Sequence, residues 1–516
     1  MKINYSSINV LLIYLLSSFD WCFAQTNFQK IITQQIASGG YSIFPTNDNH
    51  YIYSPNGNGS LNSGIGKVGL SKLDSLGNLI WSKTYYETSI ADSIIANVLM
   101  QTNDGNYLIA GNYNSSGQHG ILLMKSDTSG NILWTNRING GLQFYTYNLY
   151  LAPNGNFYLT TLSTGTVSTP NSIFYMDQNG NIIWKYTYWF GALGSYGNYG
   201  CVMPNNQLHI ISSTINSIYI SRLDSNGTPL GEWNINFPTG FNVQFPNPSY
   251  ITRTTDNGNA VATNVVVGGN KVTSIIKIDS LGNVQWSKLL DTAKFHCKGI
   301  ICTGDSNIVV ATQYLSSEIA IFKIGLSGNI ISAKSRIFSF INIRDIKNTM
   351  DNGFIIKTII DSLGNSYVAK ADAAHQMGCY QNYAYHDSIF SASAISNVSQ
   401  LYSSFTTNTI ASSFTFLNSA DTQNTDCVIT DMISSEVNSS TFLISPNPAT
   451  TELTINFSKA ARYNVQLCNT LGEVLEQAQT NSATLSLNIS NKPKGIYFIT
   501  VTDEAGNKAV RKIVKM

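Results

Sequence analysis

The chain reads as an all-β protein: a seven-bladed β-propeller, then a small β-rich spacer and a C-terminal Ig-like β-sandwich. Two observations predict the propeller. The turn of "DSLGNLIWSKTY", Asp74 to Tyr85, returns as "DTSGNILWTNRI", "DQNGNIIWKYTY", "DSNGTPLGEWNI" and "DSLGNVQWSKLL". A second signature, "QTNDGNYLIAG" and its relatives, alternates with it at the same period of about 50 residues. A third observation agrees. Charged residues are only 11% of the chain, and Asn, Ser, Thr, Tyr and Gly abound, a composition that suits strands and tight turns more than helices.

Export is read from the first residues. Lys2 precedes the apolar run Val10 to Leu16, and Cys22-Phe23-Ala24 places small residues at the two positions a signal peptidase reads, so residues 1–24 are expected to be a signal peptide cut between Ala24 and Gln25. The run is too short to span a bilayer, which takes about 20 residues.

The propeller is expected over residues 25–385. Its turn glycines fall at Gly77, Gly130, Gly180, Gly227, Gly282 and Gly328, and a degraded seventh copy surrounds His375. The second signature also occurs seven times, beginning with "FPTNDNHYIYS". Each unit reads as four short strands, and such a sheet cannot bury both faces without neighbours, the condition that stacks blades in a ring. Trp81, Trp134, Trp184, Trp233 and Trp286 stand at one point of the fourth strand, with Ser332 in the sixth copy. There a large ring would fill the gap between blades. The seventh copy lacks its fourth strand, and "FQKI", Phe28 to Ile31, matches "WSKT". The mature start of the chain is therefore expected to supply the outer strand of the last blade and so remove exposed sheet edges.

Beyond the last blade, no Lys or Arg occurs between Lys370 and Lys459. Residues 386–418 alternate small polar and apolar side chains and are expected to form a few strands, and 419–441 reads as a linker.

Residues 442–516 have the pattern of a compact β-sandwich of about seven short strands. Pro446-Asn447-Pro448 follows a short apolar strand, Leu471-Gly472-Glu473 lies midway, Gly495-Ile496-Tyr497 opens a late strand, and Lys512-Ile513-Val514-Lys515 closes the chain. In these motifs the segment resembles the type A C-terminal sorting domain of the type IX (Por) secretion system. The resemblance implies a Gram-negative cell, passage through the periplasm and a dedicated outer-membrane translocon, and removal of the domain by a sortase-like protease. The cargo would then be released or fixed to surface lipopolysaccharide. Residues 26–385 likewise resemble the Trp-bearing propellers that such cargo often carries, a likeness of fold alone.

No chemistry stands out in the propeller. A net charge of +1 gives no general field for nucleic acid. "GIGKVG", Gly64 to Gly69, has no helix after it to hold a pyrophosphate. The aspartates 74, 127, 177, 224 and 279 read as turn stabilisers, although the motif resembles the Asp boxes of sialidases. The six histidines show no paired ligand spacing, and no G-x-S-x-G occurs, so no catalytic, cofactor-binding or metal residue is assigned. Tyrosine-rich loops such as 188–200 suit packing between blades, a sugar ring or a protein partner. Cys297 and Cys302 lie too far apart on one strand to bond, and Cys379 with Cys427 is the pairing to test first. Two functions remain: a non-catalytic scaffold that binds a glycan or protein at the cell surface, or a glycan-active or proteolytic enzyme on the same ring. An enzyme would require a charged cluster with shifted pKa values at the central channel.

Overall fold

The computed structural model describes residues 27–33, 39–55, 67–86, 94–115, 118–139, 143–164, 171–189, 199–243, 249–290, 296–360, 365–385, 387–398, 401–404, 408–411, 415–418, 422–425, 442–469, 474–504 and 508–516. All the regular structure in them is β. Two compact units result, one covering Thr26–Cys427 and one containing Val428–Met516.

The larger unit is a β-propeller whose described strands form seven sheets, numbered as blades in chain order. In the first blade the strands Ile43–Pro45, Tyr51–Tyr53, Lys67–Leu73 and Leu79–Tyr86 pair antiparallel in succession. The innermost strands touch in a closed cycle. Ile43–Pro45 meets Ile94–Gln101, which meets Gln143–Leu151, then Gly200–Val202, Tyr250–Arg253, His296–Cys302 and Asn342–Asn348, and the last returns to Ile43–Pro45. Apolar clusters fill the seams; one of them joins Ile211, Ile218 and Ile220 of the fourth blade to Val261, Val265 and Ile276 of the fifth.

The repeated turns explain the spacing of the signature. Asp177 Oδ1 accepts the N–H groups of Asn179 and Asn181, both at 2.9 Å, and its Oδ2 accepts Asn181 Nδ2 at 2.8 Å. Gly180 completes the turn at φ 79°, the left-handed region that other residues enter at a cost. Asp74, Asp127 and Asp279 repeat these three bonds, and Asp224 repeats the two to backbone.

Each tryptophan of the repeat locks one blade to the next. Trp81 lies over Gly130, Trp134 over Gly180, Trp184 over Gly227, Trp233 over Gly282 and Trp286 over Gly328. A Cβ built on Gly180 would fall 2.6 Å from Trp134, and one on Gly282 2.5 Å from Trp233, so no larger residue fits beneath the indole. Trp184 Nε1–H also donates to Ser225 O (2.8 Å) and Trp286 Nε1–H to Leu326 O (2.7 Å), carbonyls of the turn being covered.

The sixth seam inverts this arrangement. His375 occupies the glycine position of the seventh turn at φ 61°, fully buried, and its N–H bonds to Asp372 O as the glycine N–H does elsewhere. With a side chain in the space an indole would fill, the facing position carries Ser332, whose Oγ lies 2.6 Å from His375 Nδ1.

Phe28–Thr33 pairs antiparallel with Ser366–Ala371 as the fourth strand of the seventh blade. Phe28 stands opposite Lys370, the register in which Trp286 faces Lys277, and its buried ring lies over Gly77 of the first blade. It is not the outermost strand, because Thr422–Thr425 pairs along its other edge.

The segment after the last blade forms no separate sheet. Its strands run back around the ring, one on the outer edge of each blade: Gln381–Asn382 on the sixth, Asp387–Ile389 on the fifth, Ser393–Val398 on the fourth, Leu401–Ser404 on the third, Asn408–Ala411 on the second, Thr415–Asn418 on the first and Thr422–Thr425 on the seventh. The stretches read from the sequence as spacer (386–418) and linker (419–441) thus supply six of these seven belt strands, the last of them lying within the linker reading. The belt pairs the edges that a four-stranded blade would leave open.

In the smaller unit, two sheets of three and four strands enclose Phe442, Leu453, Ile455, Tyr463, Val465, Leu467, Tyr497, Ile499 and Ile513. Cys379 is disulfide-bonded, whereas Cys201, Cys297, Cys302 and Cys468 are thiols. Cys427 lies outside the described residues, as do Ala24, Gln25 and Gly472.

Candidate functional site

A cavity of about 380 Å³ lies among the innermost strands of the propeller. Local irregularity in those strands decides what faces it. Register slips by one residue at Asn97, Tyr147, Lys298 and Arg344 in the second, third, sixth and seventh blades. All four bulged residues line the cavity. A β-bulge re-aims a side chain that regular pleating would direct elsewhere.

Three of the bulges are pinned by an amide side chain from the preceding blade. Asn112 Oδ1 accepts Thr146 N–H (2.9 Å), Asn264 Oδ1 accepts Cys297 N–H (2.7 Å) and Gln313 Oε1 accepts Ile343 N–H (2.9 Å). In each pair the donor immediately precedes the bulged residue. Asn112 and Gln313 also donate to Phe144 O (2.7 Å) and Ile341 O (3.0 Å), so each holds the inner strand at two points ahead of the bulge. The sequence carries a trace of this device in a fixed spacing. Asn112, Asn264 and Gln313 each lie seven residues after the left-handed turn residue of the second signature, Gly105, Asn257 and Ser306.

The lining combines tyrosines, amides and charge: Tyr41, Tyr199 and Tyr250; Asn97, Asn148 and Asn342; Lys298, Arg344, Lys347 and Asp345. The rings of Tyr199 and Tyr250 lie 4.4 Å apart. Burial raises the pKa of both, so they are phenols at neutral pH.

Asp345 is committed to holding the ring closed. Its Oδ2 accepts Ser42 Oγ–H (2.7 Å) and Ile43 N–H (3.1 Å) from the first blade, and its Oδ1 lies 2.9 Å from Lys347 Nζ. Beneath it, the buried Lys357 ammonium donates to Gly40 O (2.8 Å) and Ser54 O across the same seam. Burial pushes its pKa down to about 7, Asp345 opposing and Arg344 assisting.

Lys298 and Arg344 have no such partner. Neither side chain makes a hydrogen bond or ion pair among the described residues; the Arg344 guanidinium lies over the ring of Tyr41, at 4.6 Å. Burial lowers the pKa of Lys298, Arg344 lowers it further and Cys297 opposes. Among the described residues no group of three His, Cys, Asp or Glu side chains could hold a metal ion.

The structural tryptophans, Phe28 and the turn aspartates lie at blade seams and turns, away from the cavity lining. Of the 188–200 loop, Tyr188 is fully buried and donates to Gly227 O (2.8 Å) in the next blade, whereas Tyr199 lines the cavity. Lys67 to Gly69 open a strand, and Gly64 to Gly66 lie outside the described residues.

In the smaller unit, two motifs far apart in sequence meet. Asn447 Nδ2 donates to Lys512 O and its Oδ1 accepts Val514 N–H, both at 2.9 Å, which ties the Pro446–Pro448 loop to the final strand. Ala449 forms a parallel bridge with Lys515, and Lys515 pairs with Gly495. Tyr497 donates its hydroxyl to Pro493 O (2.6 Å).

The fold and these sites define a β-propeller protein that carries a C-terminal β-sandwich module. Residues 443–516 match the family described as "Secretion system C-terminal sorting domain". The module is therefore a type IX sorting domain, which marks the protein for secretion to the cell surface or extracellular space. No curated protein matches the chain. Three similar solved structures are a protein of unknown function from Bacteroides caccae (10% identity, TM-score 0.33, 67% of this chain and 98% of that one), PorZ, a surface component of the type IX secretion system of Porphyromonas gingivalis (13%, 0.29, 93% and 53%), and the NanB sialidase of Streptococcus pneumoniae (10%, 0.38, 66% and 70%). At these identities their ligands and reactions do not transfer to this chain.

Proposed function

We propose that the protein is made with a signal peptide over residues 1–24, crosses the outer membrane of a Gram-negative cell by the type IX route, and loses its sorting domain to a sortase-like protease. Its seven-bladed propeller is a non-catalytic module that binds a glycan. The cavity lining supports this reading: tyrosines and amides suit the faces and hydroxyls of a sugar, and the one carboxylate among the described lining residues, Asp345, is committed to closing the ring. Hydrolysis by paired carboxylates needs a second one about 5 to 10 Å away.

A second reading keeps an enzyme in view. Lys298, with its lowered pKa beside Arg344, has the character required of a base that removes a proton. A glycan array probed with the secreted protein, followed by a turnover screen on every positive, separates the two. Binding without product is expected. Turnover abolished by Lys298→Met would replace the binding module with an enzyme, and an array with no positives would refute both.

A further inference from the structure

The two cations, whose side chains have no hydrogen-bond or ion-pair partner among the described residues, require a reason. At the same bulge the second and third blades carry Asn97 and Tyr147, neutral residues that the backbone accommodates equally well. The sixth and seventh blades instead carry Lys298 and Arg344, and the amides of Asn264 and Gln313 fix both inner strands at the preceding residue. Two like charges from adjacent blades are thereby directed into one cavity of about 380 Å³, where burial disfavours the charged state of both and Arg344 further opposes that of Lys298. Among the described residues Asp345 makes its ion pair with a third cation, Lys347, and none with Lys298 or Arg344. For folding alone, neutral residues would be better at both positions.

We propose that Lys298 and Arg344 together bind the acidic group of a saccharide, a sugar carboxylate or sulfate, in the central cavity. The inference rests on the reading that the cavity holds a glycan, and it specifies the class. A guanidinium matches a planar carboxylate or a sulfate edge with two parallel N–H bonds, and an ammonium adds a point charge from the side. Tyr41, already against the guanidinium, supplies a face for the sugar ring next to that group.

The test is calorimetric titration of the secreted protein with four tetrasaccharides: an oligogalacturonate, its carboxyl-reduced neutral counterpart, an alginate and a chondroitin sulfate. At least one acidic probe is expected to bind about 10- to 100-fold tighter than the neutral one, the range for charge-assisted hydrogen bonds. That preference should weaken between about 50 and about 300 mM salt. The Lys298→Met/Arg344→Met variant should lose the preference while melting at or above the wild-type temperature, which shows that the propeller is intact. Equal binding of the acidic and neutral probes overturns the inference and leaves the glycan reading standing. Binding of none of the four, or of a hexa-aspartate peptide in their place, overturns both.

Discussion

The exchange of Trp for Ser332 opposite His375 makes the inter-blade lock testable as a cycle. Ser332→Trp alone puts an indole where the His375 side chain stands, and overpacking of this kind costs about 1 to 3 kcal/mol. His375→Gly alone removes a fully buried ring that lies edge-on to Phe354 and bonds to Ser332. The loss of a buried side chain, about 2 to 4 kcal/mol, is offset by about 1 kcal/mol from relief of a non-glycine residue at φ 61°. The singles therefore sum to about 2 to 6 kcal/mol of destabilisation. The double variant recreates the pair seen at Trp286 and Gly328, with the indole N–H directed at Ala373 O as Trp286 is at Leu326 O, and is expected within about 1 kcal/mol of wild type. The coupling of about 3 kcal/mol lies at the upper end for residues in contact. Urea unfolding of all four proteins, followed by the propeller's tryptophan fluorescence, measures it. Additivity to within about 0.5 kcal/mol would falsify the account of the lock.

Three other outcomes are expected. Deleting residues 26–32 strips one edge from both Ser366–Ala371 and Thr422–Thr425 and uncovers Gly77, so the melting temperature should fall by more than about 5 °C; an unchanged melt would refute ring closure by the N-terminal strand. His209 and His375 are buried and neutral, burial pushing their pKa values down to about 4 and about 3, with Arg222 assisting for the first and Lys334 and Lys323 for the second. Below about pH 6.5 the unfolded chain takes up protons that the folded chain does not, so stability is lost as pH falls, by about 2 kcal/mol per histidine at about pH 5. A double His209→Gln/His375→Gln variant should flatten that limb in unfolding titrations, and a limb of unchanged slope would count against it. Asn447→Ala breaks both bonds between the Pro446–Pro448 loop and the final strand and should lower export, read as protein in the medium against protein in the periplasm; equal export would show that the clasp is dispensable.

What could be read from the chain divides according to how far each interaction reaches. Asp177, Gly180 and Asn181 make a turn within five residues, so its repetition shows in the sequence directly. The Trp column reaches one period ahead, which keeps it visible as a fixed spacing, and Phe28 is recognisable because it occupies the same register. The sorting motifs likewise keep their order over 443–516.

The belt and the cavity have no such signature. A strand of two to six residues, such as Gln381–Asn382, reveals no partner, because alternating small residues suit the edge of any sheet; only the closed ring presents seven equivalent edges in the order the returning chain meets them. Lys298 and Arg344 read as ordinary basic residues 46 positions apart. Their convergence depends on a one-residue slip in each inner strand, on the amides that pin it and on the curvature that brings sixth and seventh blades together. The sequence by itself thus determined the blades, their turns, the locks between neighbours and the export module, all of them local or periodic. Only the tertiary structure decided which charges share the central cavity, because that is set by where separate strands meet.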